Sequence, residues 1–283
     1  MVKFALPSPT IPAFTFEAKC KLAKKHGFHG IELFMFRGVG EKLPRYRAIA
    51  SEYGLRLSLH QPWSYKESGG THANRILELI GMLPKDGYRL RDVFTHANDE
   101  LLVCYVDRKE EIEHQRTRSK HRIGAQRFAF QTTTSWVKKD DKRQHVLPFS
   151  DLIRLLRETE HPIVLDTFHA LEWYYGGAGG NMLVTKPEQE LSDNLYKIWK
   201  LIGRERIPEI HWNDCVPHSG FSDGRSCFPG NGVLRRGLEA IAHDINMSGW
   251  DGYVIPELSP AEFFPDREWH MALLRNTLES FFA

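Results

Sequence analysis

The sequence predicts an α/β fold, a single (β/α)8 barrel spanning residues 1–283. Three observations carry that expectation. Short apolar runs alternate with longer amphipathic ones eight times along the chain. The short runs are mostly apolar along their length, as strands buried on both faces must be. The first run is followed by Pro7-Ser8-Pro9-Thr10, where an open nucleotide-binding sheet would carry a glycine-rich phosphate loop.

Val2–Leu6 reads as the first strand. Thr15 can cap a helix running to His26, with Glu17 in its first turn, Lys24 and Lys25 in its last, and Gly27 as its stop. Gly30–Phe36 is the second strand, Leu43–Tyr53 a helix ended by Gly54, and Leu55–His60 the third strand. His72–Met82 reads as helical, and Leu83–Glu100 is a long connection of no assigned structure. Leu101–Val106 is the fourth strand, Asp107–Gly124 a charged helix, and Arg127–Thr132 the fifth strand. Lys138–His145 is polar and basic and reads as an exposed loop. Ser150–Glu158 is an amphipathic helix with Leu152, Ile153, Leu155 and Leu156 inward. Pro162–Thr167 is the sixth strand, and Tyr174–Asn181 a glycine-rich loop. Glu188–Ile202 is a helix, Ile207–Trp212 the seventh strand, and Val233–Ile245 a helix. Gly252–Leu258 is the eighth strand, and Asp266–Phe282 the last helix.

The 38 Lys and Arg balance 36 Asp and Glu, for a formal charge of +2. That gives no footprint for a nucleic-acid backbone or an anionic membrane. No apolar run approaches the roughly 20 residues of a membrane span. Cys20, Cys104, Cys215 and Cys227 are widely spaced, which reads as free thiols rather than a disulfide or zinc framework. The opening residues lack a signal peptide's long apolar region. A cytoplasmic protein is therefore expected, with self-association into a homo-oligomer left open.

In such a barrel, catalytic groups stand at the C-terminal ends of the strands. Those ends carry His60, Gln131, Asp166, His211 and Glu257. The two-residue period places His211 on one face with Glu209, and Asp166 with Val164. Asp166, His211 and Glu257 make a mixed oxygen and nitrogen site for one divalent metal, with Gln131 as a neutral oxygen donor. Carboxylates favour Mn²⁺ or Mg²⁺, and the imidazole admits Zn²⁺, Co²⁺ or Fe²⁺. His169 can serve as a ligand, a supporting donor or a substrate contact. Trp63, Trp136 and Trp173 follow these polar tips and can offer flat faces to a sugar ring. Trp212, next to an inward His211, is expected to pack outside the barrel. Arg225 lies in the loop after the seventh strand, where barrels often bind phosphate.

The segments VLDTFHA at 164–170, IHWND at 210–214, PGNG at 229–232 and PEL at 256–258 resemble the xylose isomerase-like TIM barrel superfamily. GFHGIEL at 27–33 and LSLHQP at 57–62 support the match. That superfamily includes sugar isomerases, sugar epimerases and the AP endonuclease family 2 enzymes. The resemblance implies a divalent metal held by Glu, Asp, His and Glu of the last four strands. Asp166, His211 and Glu257 match the last three, and Gln131 stands where the first Glu would be. A carboxamide brings no charge and takes no proton at neutral pH. This turns the expectation from symmetric two-base epimerisation to a reaction with Glu257 as base and with His169 and His60 orienting substrate oxygens. The resulting expectation is a metal-dependent isomerase or epimerase, or a lyase or dehydratase, acting on a sugar-like small molecule. The alternatives are a catalytically silent sugar- or metabolite-binding barrel and, below that, an AP endonuclease. The endonuclease pattern also needs a histidine after the fourth strand, the fifth-strand Glu, and a histidine at the position of Arg225.

Overall fold

The computed structural model describes residues 2–34, 39–60, 102–105, 128–131, 136–139, 142–145, 149, 153, 162–175, 183, 185–216, 225–258 and 267–283. For 39–41, the strands between 102 and 145, 225–226 and 267, the description is of the backbone alone.

The element order starts with β1 (Lys3–Pro7), α1 (Phe16–Lys25), β2 (Gly30–Phe34), α2 (Val39–Glu52) and β3 (Arg56–His60). Next come β4 (Leu102–Tyr105), β5 (Phe128–Gln131), β6 (Trp136–Lys139), β7 (Lys142–His145) and β8 (Ile163–Asp166). They are followed by α3 (Thr167–Tyr174), α4 (Glu188–Ile202), a 3-10 turn (Arg204–Arg206), β9 (Glu209–His211), β10 (Asp214–Val216) and β11 (Arg225–Cys227). The last elements are α5 (Arg235–Ser248), β12 (Tyr253–Ile255) and α6 (Arg267–Phe281).

Eight strands pair side by side in the closed order β1-β12-β9-β8-β5-β4-β3-β2. All of these pairings are parallel. The eight strands expected from the sequence are thus all present. The helices expected at 72–82 and 107–124, and the connection at 83–100, lie outside the described residues. So does the helix at 150–158, except for Ile153, which is buried.

Local chemistry explains the helix boundaries. Thr15 accepts a hydrogen bond from Ala18 N at 3.1 Å and so caps α1. Gly27, with φ of 75°, turns the chain where a β-carbon would be strained. Helix α4 buries Leu191, Leu195, Ile198, Trp199 and Ile202, and α5 buries Leu238, Ile241, Ala242 and Ile245. Each such side chain contributes about 1.5–3 kcal/mol. Gly237 lets the two helices close together, because a β-carbon there would stand 3.0 Å from Leu195 Cδ2 and 3.2 Å from Ser192 Cα. Trp199 Nε1 donates to Asp244 Oδ2 at 2.8 Å across the same seam. Trp212 is fully buried against the rings of Phe281 and Phe282, as its outward packing required.

Three features correct the sequence reading. Lys138–His145, expected as an exposed loop, contributes to an antiparallel hairpin in which Trp136 pairs with His145 and Lys139 with Lys142. Its polar residues lack the apolar alternation that marks a strand. A second ribbon, β10 with β11, follows β9. Helix α3 starts directly at the end of β8, with no loop between them. Its sequence TFHALEWY buries six of eight residues, so it shows no polar face from which to read a helical period.

Among the described residues, Cys20, Cys215 and Cys227 are thiols joined in no disulfide, and burial pushes the Cys20 thiol up to about 12. No helix among the described residues is long and apolar enough to cross a membrane.

Candidate functional site

The register of the parallel strands gathers polar residues at one end of the sheet. Asp166 pairs with His211, and His211 with Ile255, so the tips of β8, β9 and β12 are level. Glu257 lies two residues beyond β12. On the other side, Glu32 pairs with Ser58, and Phe34 with His60. Because side chains alternate along a strand, Glu32 shares its face with Phe34, and Ser58 shares its face with His60. The His60 ring stacks on Phe34, with centroids 4.3 Å apart and planes within 6°.

His211 is the hub of the cluster and is fully buried. Its Nε2 lies 3.1 Å from Glu32 Oε1 and 3.3 Å from Glu209 Oε1. Its Nδ1 lies 3.4 Å from Glu257 Oε2 and 3.9 Å from Asp166 Oδ2. His60, also fully buried, brings Nε2 to 3.5 Å from Glu257 Oε1. Glu32, His60, His211 and Glu257 each offer one ligand-type atom, all within 4.8 Å of one another.

Four carboxylates around one imidazole set the electrostatics. Burial would lower His211, but Glu257 and Glu32 beside it hold its pKa well above the usual value. Burial would raise Glu257, yet the imidazoles of His211, His60 and His169 hold it below the usual carboxylate range. Burial raises Glu32, and His60 and His211 offset that only in part. Asp166 is likewise raised by burial, with His169 acting against it.

Asp166 has a second task. Its Oδ1 accepts from Phe168 N and His169 N at 3.0 and 2.9 Å and so caps α3. Its Oδ2 accepts from Asn213 Nδ2 at 3.0 Å. Asn213 Oδ1 in turn accepts from Glu257 N at 3.0 Å, so one buried amide ties the end of β8 to the segment that carries Glu257. The next residue, Asp214, accepts from Cys215 N and Leu234 N on Oδ1 and from Gly230 N and Gly232 N on Oδ2, at 2.8–2.9 Å. This fastens the PGNG turn beneath the site. Gly232 is required there, since a β-carbon would stand 2.2 Å from Cys215 O.

His169, on the first turn of α3, contacts buried Glu172 through Nδ1 at 2.7 Å. Burial would lower this imidazole, but Asp166 and Glu172 push it up to about 9. It is therefore a cation at neutral pH, with its Nδ1–H fixed by Glu172.

The expected site residues thus divide. His60, His211 and Glu257 come together in one cluster. Asp166 stands at its rim, engaged as a helix cap. Trp173, expected to face a substrate, is instead 1% exposed within the apolar core, which leaves its ring no open face. Trp63 and the side chains of Gln131, Trp136 and Arg225 lie outside the described residues. Sequence reasoning missed Glu32 as a site residue, along with Asn213 and Asp214. The signal for Glu32 was present: it is one acid inside the apolar run GIELFMF, and a buried lone charge needs a partner.

The cluster suits a divalent cation. One ring nitrogen of His211 faces two carboxylate oxygens, and a single N–H serves only one acceptor well. Glu32 Oε2 is buried with no hydrogen-bond partner among the described residues. Two carboxylates and two imidazoles are donors of the right kind.

No protein-family model matches the sequence, and no curated protein matches it. Solved structures do match in fold. A xylose isomerase domain protein from Alicyclobacillus acidocaldarius matches with a TM-score of 0.65 at 16% identity, over 100% of this chain and 98% of that one. A probable 3-DHS dehydratase from Bacillus anthracis matches at 0.59 and 14% identity, over 98% and 99%. Endonuclease IV from Thermus thermophilus matches at 0.58 and 18% identity, over 98% and 99%. An L-ribulose 3-epimerase and an AP endonuclease of family 2 from Brucella melitensis also match. These are the kinds of protein that the sequence motifs resemble, and the likeness at this identity is one of fold.

Proposed function

We propose that the protein is a divalent-metal-dependent isomerase or epimerase, or a lyase of the same chemistry. Its substrate is a sugar-like small molecule that loses a proton next to a carbonyl. The observation that carries the reading is the cluster Glu32–His60–His211–Glu257, buried except for half-buried Glu257, with His60, His211 and Glu257 at or just past the C-terminal ends of parallel strands. Fold neighbours that are epimerases, isomerase-like proteins and a dehydratase support an enzymatic role. The protein is read as a complete (β/α)8 barrel in one domain, working in the cytoplasm.

His211 and Glu257 are the core of the set that would hold the ion. When bound, a divalent ion polarises a carbonyl and eases loss of the neighbouring proton. The chain supplies the rest. Glu257 is kept ionised by the imidazoles around it and is the base that takes the proton. His169, charged and fixed by Glu172, donates from Nε2 to a substrate oxygen. His60 is pinned by Phe34 and keeps the Glu257 carboxylate in place. Gln131 is neutral, so the base that the family pattern sets on the fifth strand is missing. This favours one-base isomerisation or dehydration over symmetric epimerisation.

Deuterium exchange from heavy water tests this, on a panel of ketoses, aldoses and keto acids with added Mn²⁺, Mg²⁺, Zn²⁺ or Co²⁺. Wild type should label at least one substrate beside its carbonyl, and Glu257→Gln should slow labelling by about 100-fold or more. Equal labelling by Glu257→Gln rejects the assignment. The second reading, a silent sugar-binding barrel, is favoured by Gln131. Binding without exchange in wild type, with exchange appearing in Gln131→Glu, supports it.

A further inference from the structure

We propose that the ion is held by Glu32, His60, His211 and Glu257, a set in which Glu32 of β2 supplies the charge that Gln131 does not. The inference rests on the metal-dependent reading above and changes which strands hold the ion. Three observations carry it. These four residues bring ligand-type atoms within 4.8 Å of one another. Glu32 is 0% exposed and its Oε2 has no hydrogen-bond partner among the described residues, a costly state for a buried carboxylate that a cation relieves. Asp166 is already committed, with Oδ1 taken by two backbone N–H groups and Oδ2 by Asn213.

The shift across the sheet has a chemical consequence. A set drawn from Gln131, Asp166, His211 and Glu257 has three oxygen donors and one imidazole, and it favours Mg²⁺ or Mn²⁺. The set drawn from the cluster has two imidazoles and two carboxylates, a donor mix that suits Zn²⁺, Co²⁺ or Fe²⁺. Glu209, 3.3 Å from His211 Nε2, stands beside the set and helps fix the His211 ring.

The test is equilibrium binding of Zn²⁺ and Mg²⁺ alone to the full chain, with no substrate, by competition with a chromophoric chelator. Zn²⁺ should bind wild type far more tightly than Mg²⁺. Glu32→Gln should weaken Zn²⁺ by about 100-fold or more, whereas Gln131→Ala should change it by less than about threefold. The cobalt-loaded protein should show the strong visible absorption of a low-coordinate, imidazole-containing site. Zn²⁺ affinity kept in Glu32→Gln but lost in Gln131→Ala overturns this ligand set and leaves the metal-dependent reading standing. No tight ion in wild type overturns both. Should Glu32→Gln fail to fold by circular dichroism, His60→Gln decides from the other side of the cluster. Its expected result is the same loss, and retained affinity refutes the set.

Discussion

Asn213 is the joint on which the site's geometry turns, and its removal gives a calculable loss. Its Nδ2 donates to Asp166 Oδ2, its Oδ1 accepts from Glu257 N, and its backbone N–H donates to Thr167 Oγ1 at 2.9 Å. The residue is 2% exposed, so water does not readily replace a lost partner. Asn213→Ala keeps the backbone bond and takes the Asn213 side-chain partner from two groups, a buried carboxylate oxygen and a part-buried amide N–H. Each such removal costs about 1–3 kcal/mol, so the loss should fall between about 2 and 6 kcal/mol. Asn213→Asp keeps an acceptor for Glu257 N but sets a second carboxylate against Asp166. Like charges about 4 Å apart repel by about 4 kcal/mol at an effective dielectric of 20, so this variant should be no more stable than the alanine one. The assay is urea unfolding of metal-free protein at neutral pH, read from the midpoint at unchanged slope. A loss under about 1 kcal/mol for Asn213→Ala would refute the claim that this amide bridges the two carboxylate-bearing segments.

Other consequences are smaller but as definite. His169 is raised from an ordinary 6.5 to about 9. Below about 6.5 it is charged in both folded and unfolded states, and between there and about 9 the folded state alone keeps the proton. Its contribution to stability is therefore full at low pH and is lost as pH rises through that window. Glu172→Gln should flatten that slope, as followed by unfolding midpoints across the pH range. Gly232→Ala should cost about 1–3 kcal/mol in the same assay, because the added carbon meets Cys215 O and Asp214 Oδ1 at 2.2 and 2.3 Å. Thr15→Ala should cost about 1 kcal/mol through loss of the α1 cap, with no change in metal affinity.

The strands were legible because a sheet buried on both faces writes itself as short, mostly apolar runs. The polar tips His60, His211 and Glu257 were legible for the complementary reason, since each breaks such a run at its end. Glu32 was harder to see because it sits in mid-run, where apolar neighbours on both sides mask its inward direction. Asp166 was legible as a buried acid, but its work as a cap was not. Recognising that work required α3 to start at once, and TFHALEWY carries no polar face to announce a helix. Trp173 was misplaced by the same omission. Its place just after the polar tips suggested the mouth of the barrel, but on α3 it turns into the core. Asn213 and Asp214 act by binding backbone groups brought close only by the fold, and no local pattern records that.

The measurement that bears most directly on the central claim is the metal content of the protein purified without chelators, by mass spectrometry. One divalent ion per chain, lost with Glu257→Gln in step with Glu32→Gln, is the predicted result. A wild-type protein that stays metal-free at saturating divalent ion, with the cluster folded and intact, would contradict it.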